Sequence, residues 1–93
     1  MRDIYDLTDQ ELEDCIGDNT DLKLIKEILE KSSVVTIDGY VDEDRFAEWF
    51  AYSIEDTIVA DEGTSEYDHA WDKNYNRGFD MADNINAYLE EDE

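Results

Sequence analysis

The fold is decided by residues 64–90, which read TSEYDHAWDKNYNRGFDMADNINAYLE. Apolar and aromatic side chains recur there every three or four residues, and this spacing places them on one side of an α-helix. We therefore predict a long helix that is capped by Thr64 or Ser65 and ends near Glu90. Its apolar stripe contains Tyr67, Trp71, Asn74, Gly78, Ala82, Ile85 and Leu89, and Ala70, Met81 and Tyr88 widen it.

Gly78 lies in the middle of this stripe. A glycine inside a helix costs about 1 kcal/mol relative to alanine, so its position calls for a structural reason. We expect that a neighbouring element approaches the helix closely at Gly78, or that the helix bends there.

The side of the helix opposite the stripe carries a row of carboxylates. Its members are separated by three, four or eight residues, a spacing that stacks side chains along a helix. A solvated helix face accounts for any one of them, and their number is the unusual feature. The row consists of Asp68, Asp72, Asp80 and Asp83.

Two short helices are predicted near the N-terminus. Thr8 and Glu11 have the spacing of a capping box, in which each side chain satisfies a backbone N–H of the first turn, and Gly17 ends this helix. Thr20 is predicted to cap a second helix that runs to about Lys31. The buried residues expected are Leu12, Cys15 and Ile16 in the first helix and Leu22, Ile25, Ile28 and Leu29 in the second.

The segment that follows, residues 33–42, has a different character. Residues 34–37 are all β-branched, and residues 40–41 can return as a second strand. Asp38 and Gly39 suit the tight turn between them. We predict a short two-stranded β-ribbon that lies on the helices, because two strands alone are only marginally stable.

A third helix is predicted to begin after Asp42, a good N-cap, and to run to about Ala60. Its apolar face contains Phe46, Trp49, Phe50, Ser53, Ile54, Thr57 and Ile58. The predicted fold class is therefore α+β and mostly helical, with four helices and a short two-stranded β-ribbon between helices 2 and 3. Residues 1–93 are expected to form a single acidic globular domain with a short acidic tail at about residues 90–93.

Charge limits what this chain can bind. The 93 residues include 28 Asp and Glu but only seven Lys and Arg, for a net charge of −21. Nucleic acids and membrane surfaces are also anionic, so direct binding to either is electrostatically opposed. Solubility needs a net charge of only about 2 to 8, so the excess indicates either a basic partner or adaptation to high salt.

The sequence contains no catalytic or metal-binding motif. His69 has no second His or Cys partner for a transition metal, and no motif activates the single cysteine, Cys15. A pairing of Cys15 with His69 stays open. We expect no enzyme activity, no cofactor and no metal site. The lone cysteine fits a reducing compartment, so we expect a cytoplasmic location.

Small size, extreme acidity, enough apolar residues for a core and helical rows of carboxylates together resemble a known class. Acidic DNA-mimic inhibitors of phages and mobile elements, of the anti-restriction and anti-CRISPR type, share this pattern and block restriction enzymes, CRISPR effectors or DNA-repair proteins. The resemblance implies carboxylates that occupy a basic DNA-binding groove of a protein in the host-cell cytoplasm. From the predicted helices, we expect the partner to contact Glu55, Asp56, Asp61, Glu62, Glu66, Asp68, Asp72, Asp80 and Asp83.

Two other functions are compatible with the sequence. An acidic adaptor would bind a basic protein surface through an apolar groove, with Tyr52 and Phe79 as exposed anchors, and its affinity would depend weakly on salt. A halophilic domain would have no dedicated partner and would need high salt to fold. Self-association also stays open, and a homodimer through the charge-balanced second helix is the arrangement we favour.

Overall fold

The structure is a computed structural model that describes residues 4–17, 21–31 and 33–91, and four α-helices make up most of them. Two short 3-10 turns accompany the helices, one before the first helix and one after the third. The helices are α1 (Asp9–Ile16), α2 (Leu22–Leu29), α3 (Glu43–Ser53) and α4 (Ser65–Glu91), and the 3-10 turns span Ile4–Asp6 and Glu55–Thr57.

The last helix, α4, sets the long dimension of the molecule. Its 27 residues span about 40 Å, and the longest dimension of the molecule is 45 Å. Thr64, one of the two predicted caps, accepts a hydrogen bond on its hydroxyl from the Tyr67 backbone N–H at 3.3 Å. Within the described residues, no helix has both the length and the apolar character needed to cross a membrane.

Helix α3 packs along α4 in the antiparallel direction, and this pair forms the largest interface between helices. Near the beginning of α3, Asp44 accepts a hydrogen bond from the hydroxyl of Tyr75. Near its end, Tyr52 contacts Trp71, which lies earlier in α4. Helix α1 also packs on α4, and α2 packs against both α3 and α1.

The core is apolar and draws on all four helices. In α4 the predicted stripe is buried from Gly78 onward. Tyr67 and Trp71 are only half-buried, because α3 ends at Ser53 and does not cover the first turns of α4. The core cluster comprises Ile4, Leu12, Ile16, Ile25, Ile28, Leu29, Val34, Val41, Phe46, Phe50, Met81, Ala82, Ile85 and Leu89.

A close approach of α3 explains Gly78. A Cβ atom added at this position would lie 3.0 Å from the Cα of Ala47 and 3.0 Å from the Cβ and Cδ2 of Phe50. Because the Ala47 Cα belongs to the backbone, α3 itself would have to move to make room. The predicted close approach is confirmed, and α4 continues through Gly78 as one helix.

The prediction of a β-ribbon, and with it the α+β fold class, is wrong, because the described residues contain no strand and the fold is all-helical. The turn forms, with Gly39 at φ +85°, but pairing is limited to one antiparallel bridge between Val35 and Val41. Asn86 of α4 occupies the other side of Val41: its Oδ1 accepts from the Val41 N–H at 2.8 Å, and its Nδ2 donates to the Val41 carbonyl at 2.9 Å. Asp42, the next residue, is the N-cap of α3, so the second predicted strand cannot extend beyond Val41.

The caps of the first two helices follow local sequence signals. The capping box of Thr8 and Glu11 is present as predicted, and Gly17 ends α1. Helix α2 is capped by Asp21, whose carboxylate accepts a hydrogen bond from the Lys23 N–H at 3.0 Å. Thr20, which we predicted as this cap, lies outside the described residues. Helix α2 ends at Leu29, before the predicted end at Lys31.

Helix α3 begins after Asp42, as predicted, but it ends at Ser53 and does not reach Ala60. Ile54 leaves the helical conformation, and the hydroxyl of Thr57 donates to the Ile54 carbonyl at 2.6 Å. The next residues, 57–59, are β-branched and therefore weak helix formers. Ser53, which we placed on the apolar face at the edge of the core, is exposed.

Candidate functional site

The nine predicted contact carboxylates lie at the surface, but they do not form one continuous row. Glu55 is half-buried and the other eight are exposed. In α4, helical rotation turns Asp80 by about 120° from Asp68 around the helix axis, so the predicted row is split. Three of the nine, Glu55, Asp68 and Asp72, meet at one cleft. Four others, Asp56, Asp61, Glu62 and Glu66, lie on the 3-10 turn, on the connection to α4 and on its first turn.

The cleft lies between the end of α3 and the first turns of α4. It is open to solvent and has a volume of about 470 Å³. Three of its lining residues are aromatic and three are acidic, and no described lysine or arginine lines it. They are Tyr52, Glu55, Tyr67, Asp68, Trp71 and Asp72.

The aromatic rings form a connected surface. Tyr52 meets Trp71 edge-to-face, with 5.5 Å between ring centroids and 68° between ring planes. Tyr75 stacks against Trp71 at 5.8 Å and 23°. Tyr52 is 52% exposed, so its ring is available to a partner at the mouth of the cleft. Such arrangements stabilise ring pairs beyond the area they bury, which keeps the rings in place.

The hydroxyl of Tyr67 lies among the negative charges of the cleft. Burial raises the pKa of the Tyr67 hydroxyl above its usual value of 10, and the charges of Glu55 and then Glu62 raise it further. Tyr67 therefore stays protonated at neutral pH and places a neutral hydroxyl beside Glu55.

Tyr75, farther along α4, is held by a hydrogen bond to α3. Its hydroxyl donates to Oδ1 of Asp44 in α3 at 3.2 Å. Burial raises the pKa of the Tyr75 hydroxyl, and the charges of Asp44, Glu48 and Asp42 add to the increase. The acidic beginning of α3 is thus connected to the aromatic surface of α4.

Glu43 and Asp83 bring two carboxyl groups together at the far end of this surface. The charge of Asp83 in α4 acts on the carboxyl group of Glu43 in α3. Burial raises the pKa of Glu43 above its usual 4.5, and the negative charge of Asp83 raises it further, with smaller contributions from Asp44 and Asp42. This mutual repulsion of two carboxylates indicates a high local density of negative charge.

We refer to the whole arrangement as the α3–α4 seam. Along α4 it extends from Tyr67 to Asp83, a distance of about 24 Å. It contains the acids Glu43, Asp44, Glu55, Asp68, Asp72 and Asp83 and the aromatic residues Tyr52, Tyr67, Trp71 and Tyr75.

Two cations of the described residues are held by aromatic rings outside the seam. The Lys31 ammonium lies 5.3 Å from the ring centroid of Trp49, and the Arg77 guanidinium lies 5.6 Å from that of Phe50. Contacts of this kind are favourable between a cation and a ring face.

The sequence-based assignment missed part of this site. Tyr67 and Trp71 were assigned to the core, and Glu43, Asp44 and Tyr75 were not assigned to any site. A sequence signal does exist: an aromatic residue is followed by aspartate at 67–68 and again four residues later at 71–72. Side chains four residues apart lie on one helix face, so this repeat places two acids beside two rings.

The open pairing of Cys15 with His69 is excluded by the structure. Cys15 shares a surface cavity with Asn84 and Glu91, whereas His69 lies fifteen residues before Asn84 in α4, or about 22 Å away. Burial raises the pKa of the Cys15 thiol, and the nearby charges of Asp14, Glu11 and Glu91 raise it further. Within the described residues, no group of three or more His, Cys, Asp or Glu side chains is placed to hold a metal ion.

Comparison with known proteins gave no match: no protein-family model, no curated protein and no solved structure is similar to this chain.

Proposed function

We propose that this chain is a DNA-mimic inhibitor whose α3–α4 seam occupies the basic nucleic-acid-binding groove of another protein. The observation that carries the proposal is the carboxylate density of the seam. Six carboxyl groups along about 24 Å correspond to one per about 4 Å. One strand of duplex DNA carries a phosphate per about 3.4 Å, a similar spacing.

The charge of the whole molecule supports the same proposal. The described residues hold 24 of the 28 acids and six of the seven bases, a net charge of −18. Over the long axis of 45 Å this is one net negative charge per about 2.5 Å. Duplex DNA carries one per about 1.7 Å, so a groove that attracts DNA would also attract this molecule.

The partner we propose is a basic nucleic-acid-binding protein of the restriction, CRISPR or DNA-repair machinery in the cytoplasm. Its Lys and Arg side chains would donate charge-assisted hydrogen bonds to the seam carboxylates in place of phosphates. Binding of this kind is steered by charge and weakens strongly as salt is added.

An acidic adaptor is the second candidate, and the exposed ring of Tyr52 favours it. Phe79, the other anchor we considered, is half-buried in α4. An adaptor would be held by apolar contacts, so its complex would persist in high salt and would not respond to DNA.

A displacement experiment separates the two candidates. The protein is immobilised, incubated with lysate of a phage host at low salt, and then washed with either duplex DNA or about 0.5 M salt, at which charge interactions between exposed groups are largely screened. The mimic proposal predicts that DNA- or RNA-handling proteins are released by both washes. A bound protein that neither wash releases would overturn mimicry and support the adaptor.

A pair of charge-matched variants locates the contact. The seam variant D68N/D72N/D83N removes three carboxylates from the seam, and we expect it to retain little of the DNA-displaceable partner. The off-seam variant removes three exposed carboxylates elsewhere and should bind like the original protein. It carries E27Q, E30Q and E90Q.

A further inference from the structure

The cleft between α3 and α4 combines two kinds of surface that a guanidinium group recognises. One is the face of an aromatic ring, and the other is a set of carboxylates within hydrogen-bond reach. Arginine stacks on aromatic faces and presents five N–H donors in a planar fork. Lysine presents a compact ammonium that is more strongly hydrated and does not stack in this way.

The ring side of the cleft is a corner. The ring planes of Tyr52 and Trp71 make an angle of 68°, so the faces of the two rings point in different directions. The stacking of Tyr75 on Trp71 holds the second wall in place. Tyr52 is more than half exposed, so an incoming side chain can reach its ring without displacing the core.

The carboxylate side of the cleft faces this corner from both helices. Asp68 and Asp72 lie four residues apart on α4, and the charge of Asp68 acts on the Tyr67 hydroxyl. Glu55 approaches from the 3-10 turn after α3 and lines the cleft together with Tyr67. Three carboxylates around one opening favour a cation, and their planar acceptors match the guanidinium fork.

On the basis of the mimicry proposed above, we infer that this cleft binds an arginine side chain of the partner and prefers it to lysine. An anionic group beside a ring face is the chemistry that an unstacked nucleotide offers with its phosphate and base. Arginine residues of nucleic-acid-binding proteins pair with the phosphate and stack on such bases. The cleft offers the same two contacts in protein form.

Trp71 provides a spectroscopic reporter for a direct test. The chain has two tryptophans, so W49F leaves Trp71 as the only one. In this background, the fluorescence of Trp71 is followed while acetyl-Gly-Arg-Gly-amide or acetyl-Gly-Lys-Gly-amide is added at constant ionic strength. We expect a saturating change with both peptides, and about two- to fivefold tighter binding of the arginine peptide, the range of an exposed cation–ring contact. Equal affinity for the two peptides, or no saturating change, would overturn the inference.

Variants of the cleft separate its two surfaces. Y52S removes a ring without changing the charge and should abolish the preference for arginine, whereas Y52F retains the ring and the preference. The triple variant E55Q/D68N/D72N should weaken binding of both peptides at least several-fold. The off-seam variant E27Q/E30Q/E90Q, placed in the same background, should leave both affinities unchanged. Helical circular dichroism of each variant establishes that it is folded.

The outcomes distinguish this inference from the proposed function. If duplex DNA releases the partner but the Tyr52 variants bind both peptides alike, mimicry stands and the arginine cleft is rejected. If the cleft prefers arginine but the partner ignores DNA, the cleft stands and mimicry is rejected.

Discussion

The ring of Tyr52 at the end of α3 stands edge-on to the ring of Trp71 in α4, with 5.5 Å between their centroids. This contact places the 3-10 turn after α3 beside the first turns of α4. Glu55 on that turn and Asp68 and Asp72 on α4 consequently line one cleft. The packing of two rings thus gathers carboxylates that lie up to seventeen residues apart in sequence.

Replacement of Gly78 by alanine should destabilise the fold. The added Cβ would lie 3.0 Å from the Ala47 backbone, so α3 would have to move away from α4. Overpacking of this kind costs about 1–3 kcal/mol, which exceeds the gain of about 1 kcal/mol in helix propensity. Urea unfolding measures the difference. The exposed Asn76 provides the control, because N76A should slightly increase stability; a G78A protein as stable as N76A would contradict the close approach.

Removal of the Asn86 side chain should also destabilise the protein. Asn86 satisfies both the N–H and the carbonyl of Val41, which is buried, so N86A would leave these groups without their partners. We expect a loss of about 1–3 kcal/mol in the free energy of unfolding, measured in urea. N84A is the control, because Asn84 is exposed and its contact with the Cys15 carbonyl is long, at 3.5 Å. Equal losses for both variants would show that the Val41 contacts contribute nothing specific.

Glu43 should make the stability of the protein depend on pH in an unusual direction. Its pKa in the folded state is raised above 4.5 by burial and by Asp83, so the folded state binds this proton more tightly than the unfolded chain. The stability that protonated Glu43 contributes is fully present below about pH 4.5 and is lost as the pH rises through the raised value.

The variant E43Q tests this dependence. At pH 7 it should increase the free energy of unfolding by less than about 1 kcal/mol, the scale of surface charge pairs, and the advantage should fade as the pH falls towards 4.5. D80N changes the net charge equally without touching this pair and is the control. A gain for E43Q that is the same at pH 7 and at pH 4.5 would contradict the raised pKa of Glu43.

Folding should not require high salt. The core cluster draws on all four helices, and burial of apolar surface stabilises the fold at any ionic strength. Salt should nevertheless raise the melting temperature by a few degrees, because it screens repulsion among the surface carboxylates. Thermal unfolding followed by circular dichroism over a range of NaCl concentrations provides the measurement. A chain that is unfolded at low salt would favour the halophilic alternative.

The features that depend on neighbouring residues in the sequence could be predicted. Spacings of a few residues predict three features of the fold. These are the capping box of Thr8 and Glu11, the cap at Asp42 and the long helix that ends near Glu90. The close approach of a neighbouring element at Gly78 was also predicted correctly, because a glycine within an apolar helical stripe has few explanations other than close packing.

The absence of the β-ribbon could not be predicted from sequence alone. Residues 34–41 have the β-branched composition and the turn of a ribbon, and the turn does form. What limits it is Asn86, which lies 45 residues after Val41 and binds its backbone. A contact between residues so far apart in the chain leaves no local pattern.

The site was predictable only where it depends on local spacing. Helical spacing identified Asp68 and Asp72 as surface acids of α4. The early end of α3 was not predicted, although the β-branched residues 57–59 signal it, and it is this end that leaves Trp71 half-exposed and brings Glu55 to the cleft. Aromatic residues that looked like core in a longer α3 consequently belong to the seam.

The most direct test of nucleic-acid mimicry is a competition between this protein and duplex DNA for the recovered partner. The complex is held at constant ionic strength while DNA is added, and the seam variant D68N/D72N/D83N is compared with the off-seam variant. We predict that DNA releases the protein progressively, and that the seam variant binds at least tenfold more weakly, because each charge-assisted hydrogen bond contributes about 1.5–3 kcal/mol. A complex that persists in saturating DNA, with both variants bound equally well, would contradict the account.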